Sequence, residues 1–163
     1  MKVIYFAGGC FWGVQRYFDQ FKGVVETTVG YANGKTINPT YQEVKAQISG
    51  HSETVKVVYD DNVISLEKLL EYFYRIIDPT SLNKQGEDEG ISYRTGIYYV
   101  DQEDIEMIHR VTDIVSKQYD MPIVVEILPL DNYYDAEDYH QKYLEKNPMG
   151  YCHIPIGMFS IEE

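Results

Sequence analysis

Apolar residues first gather at positions 3 to 7, where Val3, Ile4, Tyr5, Phe6 and Ala7 run into Gly8-Gly9; Phe11, Val14, Phe18 and Phe21 then recur three or four apart. That change of period predicts a strand, a glycine turn and a helix. Residues 23 to 31, rich in Val and Thr, predict a second strand, and Gly30 to Thr40 a loop carrying Asn33-Gly34 and Asn38-Pro39 turn signals. From Glu53 to Asp60, Val55, Val57 and Tyr59 alternate with Thr54, Lys56 and Val58, as in a strand buried on at least one face. Ser65 then caps a predicted helix whose stripe of Leu66, Leu69, Leu70, Phe73, Ile76 and Ile77 stops before Pro79. Pro79 to Gly90 is polar and reads as a loop, before a strand from about Tyr93 to Val100.

The order βαββαβ predicts an α+β fold with a ferredoxin-like two-layer core, the split βαβ arrangement in which two helices cover one face of a mainly antiparallel sheet. A helix from about Gln102 to Tyr119, a strand Ile123 to Leu128 and a short helix around Ala136 to Leu144 are added C-terminally. From about Asn147 the chain carries Pro148, Gly150, Pro155 and Gly157, which predicts an irregular tail able to move. Residues 1–163 thus read as one domain.

Composition narrows the function. With 44% hydrophobic and 25% charged residues the chain is expected to fold around one sizeable core. Its net charge of −12 repels phosphate backbones and anionic membranes, so nucleic acid and membrane are excluded as partners. Met1 to Ala7 has too short an apolar run for a signal peptide, and no segment approaches the roughly 20 apolar residues of a membrane span, which predicts a cytoplasmic protein. Two cysteines, Cys10 and Cys152, are too few for a disulfide framework; in a reducing compartment such a pair points to catalysis.

Cys10 falls where a strand passes through two glycines into a helix, so the unpaired N–H groups and positive dipole end of that helix are expected to face its sulfur. Such a place favours a thiolate, and the glycines let a substrate oxygen approach the backbone. The competing reading is a small buried hydrophobe at a helix start. Phe11 and Trp12 follow directly, and one of two adjacent rings has to leave the core stripe, where it can line a pocket at the helix tip. Cys152 is remote in sequence. A mobile tail would carry it to Cys10 as a resolving thiol that attacks a sulfenic acid or mixed intermediate there; otherwise it is an incidental tail cysteine.

At Gly8-Gly9-Cys10-Phe11-Trp12-Gly13 the chain resembles the peptide methionine sulfoxide reductases of the A class, and the likeness continues in order along nearly the whole length. It runs through Val29-Gly30-Tyr31-Ala32, Asn38-Pro39-Thr40-Tyr41-Gln42-Glu43-Val44, Gly50-His51-Ser52-Glu53, Asp78-Pro79-Thr80, Gln85-Gly86-Glu87-Asp88, Tyr93-Arg94 and Asn147-Pro148-Met149-Gly150-Tyr151-Cys152. The chain departs from the family's usual residues at Asn33, Ser52, Ile91 and Ser92, and has Lys45 where relatives often carry a cysteine. It also ends at Ile161-Glu162-Glu163 without the further cysteine some relatives have, so recycling is expected to use Cys152 alone.

The resemblance implies reduction of methionine S-sulfoxide, free or in oxidised proteins, as damage repair. It implies Cys10 as nucleophile, Glu53 as the acid facing the sulfoxide oxygen, Tyr41 and Tyr93 as hydroxyl donors, Asp88 on the polar side of the pocket, Phe11 and Trp12 around the S-methyl group, and Cys152 as resolver. It further implies no metal and no bound cofactor, an external dithiol such as thioredoxin or dithiothreitol as reductant, and a monomer. The chemistry suits these residue types: a Glu among aromatic rings is desolvated toward a useful acid, and phenols donate to developing negative charge. Each also has a plainer reading: Glu53 as a solvated strand-end charge, Tyr41 and Tyr93 as two of 16 tyrosines, Asp88 as part of an acidic loop. His51, beside Glu53, reads as structural. Two other functions stay open. One is a cysteine hydrolase pairing Cys10 with His51, His109, His140 or His153; the other is a zinc-binding domain using Cys10, His51, Cys152 and His153.

Overall fold

The computed structural model describes residues 1–161, so Glu162 and Glu163 at the end of the tail lie outside the described residues. The first half of the chain forms β1 (Lys2–Gly8), α1 (Phe11–Asp19), β2 (Val24–Ala32), α2 (Tyr41–Lys45), β3 (Ser52–Tyr59) and α3 (Leu66–Tyr74). The second half forms β4 (Lys84–Gln85), β5 (Asp88–Glu89), β6 (Thr95–Tyr99), α4 (Ile105–Ser116), β7 (Glu126–Pro129), β8 (Tyr133–Asp135) and α5 (Tyr143–Lys146). Six strands make one mixed sheet in the order β7-β6-β1-β3-β2-β8, and β4 and β5 pair separately as a small hairpin. The four middle strands are antiparallel throughout; β7 joins β6 in parallel and β8 joins β2 antiparallel. This is an α+β architecture.

The core lies between the sheet and helices α1 and α3. Phe6 of β1 is sandwiched between Phe18 of α1 and Phe73 of α3, with ring centroids 4.9 and 4.7 Å apart. Truncating such a fully buried ring costs about 3–5 kcal/mol, so this stack ties both helices to the strand that leads to Cys10. The turn between β1 and α1 needs Gly9, whose φ is +90° and whose position admits no side chain beside Gln85.

Several elements depart from the sequence expectations. The loop after β2 contains α2, begun by a capping box in which Thr40 and Glu43 satisfy each other's backbone N–H groups; the pattern Thr-x-x-Glu is its signature. Helix α3 ends at Tyr74 rather than before Pro79, because the Arg75 and Ile76 N–H groups bond three residues back and tighten the last turn. The predicted loop from Pro79 to Gly90 holds the β4–β5 hairpin. The strand expected at Ile123 to Leu128 starts at Glu126, and the helix expected over Ala136 to Leu144 is instead a 3-10 turn at Asp138–His140 and the start of α5, separated by Lys142 at φ 56° and preceded by strand β8. The tail is irregular as expected but anchored: Ile154 is buried in the core, and Gln20 bonds both the Met158 carbonyl (2.7 Å) and the Ile161 N–H (2.7 Å).

Candidate active site

Cys10 is the N-cap of α1 and only 7% exposed. Glu53, the second residue of β3, pairs across the sheet with Tyr31 and points at the start of the helix, where the Phe11 N–H donates to its Oε1 at 3.1 Å. The helix end that was expected to serve the thiol therefore also serves the carboxyl group. Burial pushes the Cys10 thiol well above its ordinary pKa, reinforced by Glu53 and opposed by the Trp12 N–H. The expected resting thiolate is thus corrected: removal from water outweighs the helix N-terminus, and the thiol is held protonated. Burial likewise raises Glu53 to about 8, with the Phe11 N–H pulling the other way, so at neutral pH it is a proton donor rather than a solvated end charge.

Burial pushes the Tyr41 and Tyr93 phenols upward, reinforced by Glu53, Cys10 and Asp88 nearby, so both stay protonated. Tyr41 is set by the first turn of α2, where its N–H donates to Glu137 Oε2 (3.0 Å) while Tyr31 Oη donates to Oε1 of the same carboxylate (2.7 Å). Asp88 on the hairpin is raised by burial and drawn back down by the Tyr151 hydroxyl. Gln85, buried beside Gly9, fixes that hairpin: its amide donates to the Asp78 carbonyl (2.8 Å) and accepts from the Asp78 N–H (2.9 Å).

The two neighbouring rings divide as expected, with Phe11 buried against Tyr31 and His140 and Trp12 left partly exposed. Trp12 stacks on Tyr143 at 3.8 Å and its indole N–H donates to His140 Nδ1 (3.0 Å). That bond occupies one ring nitrogen of His140, and burial pushes its pKa down, so His140 is neutral. Cys152 is a free thiol like Cys10, and its sulfur rests against Gly13, one turn along α1; any side chain at Gly13 would collide with it. The sequence brought His140 forward only as a possible base and did not single out Glu137, Tyr143 or Gln85 for a role. Of these, only Gln85 lay within a motif.

Neither alternative gains its ligands or base. His140 is engaged by Trp12, His109 is exposed on α4, and His51 packs against Gly34 and Tyr134; His153 sits over Gly9 without a bond to the Cys10 sulfur. Among the described residues no three His, Cys, Asp or Glu side chains converge as metal ligands.

A protonated thiol, a protonated carboxyl group and two phenols meeting at a helix tip, with a second thiol one turn away, define a thiol-based oxidoreductase built on an α+β sheet. The chain belongs to the peptide methionine sulfoxide reductase family, whose sequence model matches residues 2–162, and it is an enzyme that reduces methionine sulfoxide. It is 58% identical over 153 residues to the peptide methionine sulfoxide reductase MsrA of Lachnoclostridium phytofermentans, covering 94% of this chain and 92% of that one. Among solved structures it is similar to reduced Mxr1 from Saccharomyces cerevisiae, with TM-score 0.88, 37% identity and coverage of 93% and 88%. It is also similar to Mxr1 in complex with Trx2, with TM-score 0.63, 28% identity and coverage of 87% and 84%.

Proposed function

We propose that residues 1–163 act as one catalytic unit in which Cys10 attacks the sulfur of methionine S-sulfoxide while Glu53, Tyr41 and Tyr93 donate to its oxygen. The observation that carries this reading is the protonated Glu53 beside Cys10. As the sulfur–sulfur contact forms, the Glu53 proton passes to the oxygen and the thiol proton refills the carboxylate. The hydroxyl then passes from the methionine sulfur to the Cys10 sulfur as the sulfur–sulfur contact breaks, so methionine leaves as the reduced thioether and Cys10 is left as a sulfenic acid. Cys152 then attacks that sulfur, releasing water and closing a Cys10–Cys152 disulfide, which an external dithiol reopens by exchange. Trp12 presents the apolar surface for the S-methyl group with Phe11 packed behind it, and Asp88 orients the polar side.

The structure of Mxr1 in complex with Trx2 supports thioredoxin as the reductant; the proposed cycle uses only the chain's own thiols and acids. Free or protein-bound methionine sulfoxide is the substrate, and the enzyme works as a cytoplasmic monomer without nucleic acid or membrane. The strand order β6-β1-β3-β2 with crossovers through α1 and α3 supports the ferredoxin-like description of the core. Among the described residues no helix is long and apolar enough to cross a membrane. Supplying each purified epimer of N-acetyl-methionine sulfoxide with dithiothreitol tests the reading: methionine is expected from the S epimer alone, and equal release from both would overturn the epimer assignment.

A further inference from the structure

One cation at the rim of the site is left unused by the reaction. Lys45 closes α2 four residues after Tyr41, and the helical turn sets its Nζ 5.8 Å from the Tyr41 ring centroid. The capping box at Thr40 and the bond from the Tyr41 N–H to Glu137 fix this short helix, so the backbone of Lys45 is set beside Tyr41 and its side chain reaches out from there. Lys45 is exposed and, among the described residues, forms no ion pair, although acidic residues outnumber basic ones 26 to 14. It is the basic side chain whose charge is felt at both Glu53 and Asp88, yet neither acid engages it. Glu53 is buried and protonated, and Asp88 is half-buried with one carboxylate oxygen unpartnered. The hairpin carries Glu87, Asp88 and Glu89, so Lys45 is the positive charge in an otherwise acidic neighbourhood.

We propose that Lys45 is a specificity residue that favours methionine sulfoxide substrates carrying a carboxylate next to the oxidised residue. The proposal rests on the sulfoxide reductase reading above. With a net charge of −12 the chain as a whole repels acidic segments, and Lys45 offsets that repulsion where the substrate enters. An exposed ion contact of this kind is worth about two- to fivefold in affinity and weakens with salt.

The test uses the full chain with dithiothreitol at low ionic strength and three peptides of equal length, in which methionine S-sulfoxide is flanked by Asp, by Ser or by Lys. The quantity read is the ratio of kcat/KM for the Asp peptide to that for the Lys peptide. Taking this ratio within each variant cancels any general effect of the substitution on Glu53 or Tyr41. The native ratio is expected above one and to fall toward one as salt is added. K45R is expected to keep the preference, K45M to lower the ratio by about two- to fivefold, and K45E to lower it further. Since K45M removes the charge and K45E reverses it, a folding failure of one leaves the other decisive. A native ratio of one or less, or one unchanged by K45M and K45E, overturns the proposal. Failure of the native chain to reduce the Ser peptide would instead count against the underlying activity.

Discussion

Cys10 stands between a strand buried from Ile4 onward and the first turn of a helix clamped to the sheet, whereas Cys152 lies on a stretch with no helix or strand between residues 147 and 155. The first thiol is enclosed, next to the Phe11 N–H that holds Glu53; the second is half-buried and rests on Gly13, accepting a bond from the Ile154 N–H at 3.3 Å. This difference divides the labour. Attack on the sulfoxide requires a fixed geometry among four groups, which a rigid strand–turn–helix supplies at low entropic cost. Resolution requires a sulfur that leaves one contact and reaches another, which an irregular segment with few backbone bonds permits.

Replacing one region at a time separates the roles. Cys10→Ser is expected to remove methionine formation altogether, a loss of more than about 10⁴-fold in single turnover measured by methionine release. Cys152→Ser should release about one methionine per chain and then stall as a sulfenic acid visible by mass. Sustained turnover with thioredoxin in that variant would remove the tail from the cycle. Glu53→Gln is expected to slow the first step by about 10²-fold while leaving both thiols titratable.

The carboxyl group also sets the pH response. In the proposed mechanism protonated Glu53 is the acid, so the first-step rate should fall as pH rises through about 8, and this fall should be absent in Glu53→Gln. Stability follows with a definite sign. The folded state keeps a proton that the unfolded chain releases near its ordinary value of 4.5, so stability declines between that value and about 8. At pH 9 the Gln variant should therefore gain on the order of a few kcal/mol over the native chain, read by urea unfolding. The smallest effect is expected at Gly13→Ala. Its methyl group displaces the Cys152 sulfur, and disulfide closure should slow about tenfold while the first step changes by less than about twofold, as followed by rapid quench and thiol titration.

Much of this arrangement was legible along the chain because the signals are local. Alternating Val55, Val57 and Tyr59, the stripe on α3 and the glycines before Cys10 marked the central strands and both crossover helices near their observed places. Elements made by long-range pairing were missed. Strand β8 exists because Tyr133, Tyr134 and Asp135 find a free edge on β2, and nothing within those three residues announces it. The β4–β5 hairpin has only two residues a side and depends on Gln85 bonding to Asp78. The short helix α2 did carry its capping signature at Thr40 and Glu43, which the turn signals just before it obscured.

The chain's own order of residues decided that Cys10 caps a helix, that Glu53 lies near the start of an inward strand, and that Cys152 belongs to a segment unable to form regular structure. Such outcomes follow from steric preference and periodicity within a few residues. Only the folded molecule decided which of those groups are charged. A helix tip seen in isolation favours a thiolate, but the packed rings around Cys10 and Glu53 exclude the water that would solvate either anion, so both protons stay. Desolvation sums over neighbours brought from every part of the chain, and no local pattern carries that sum.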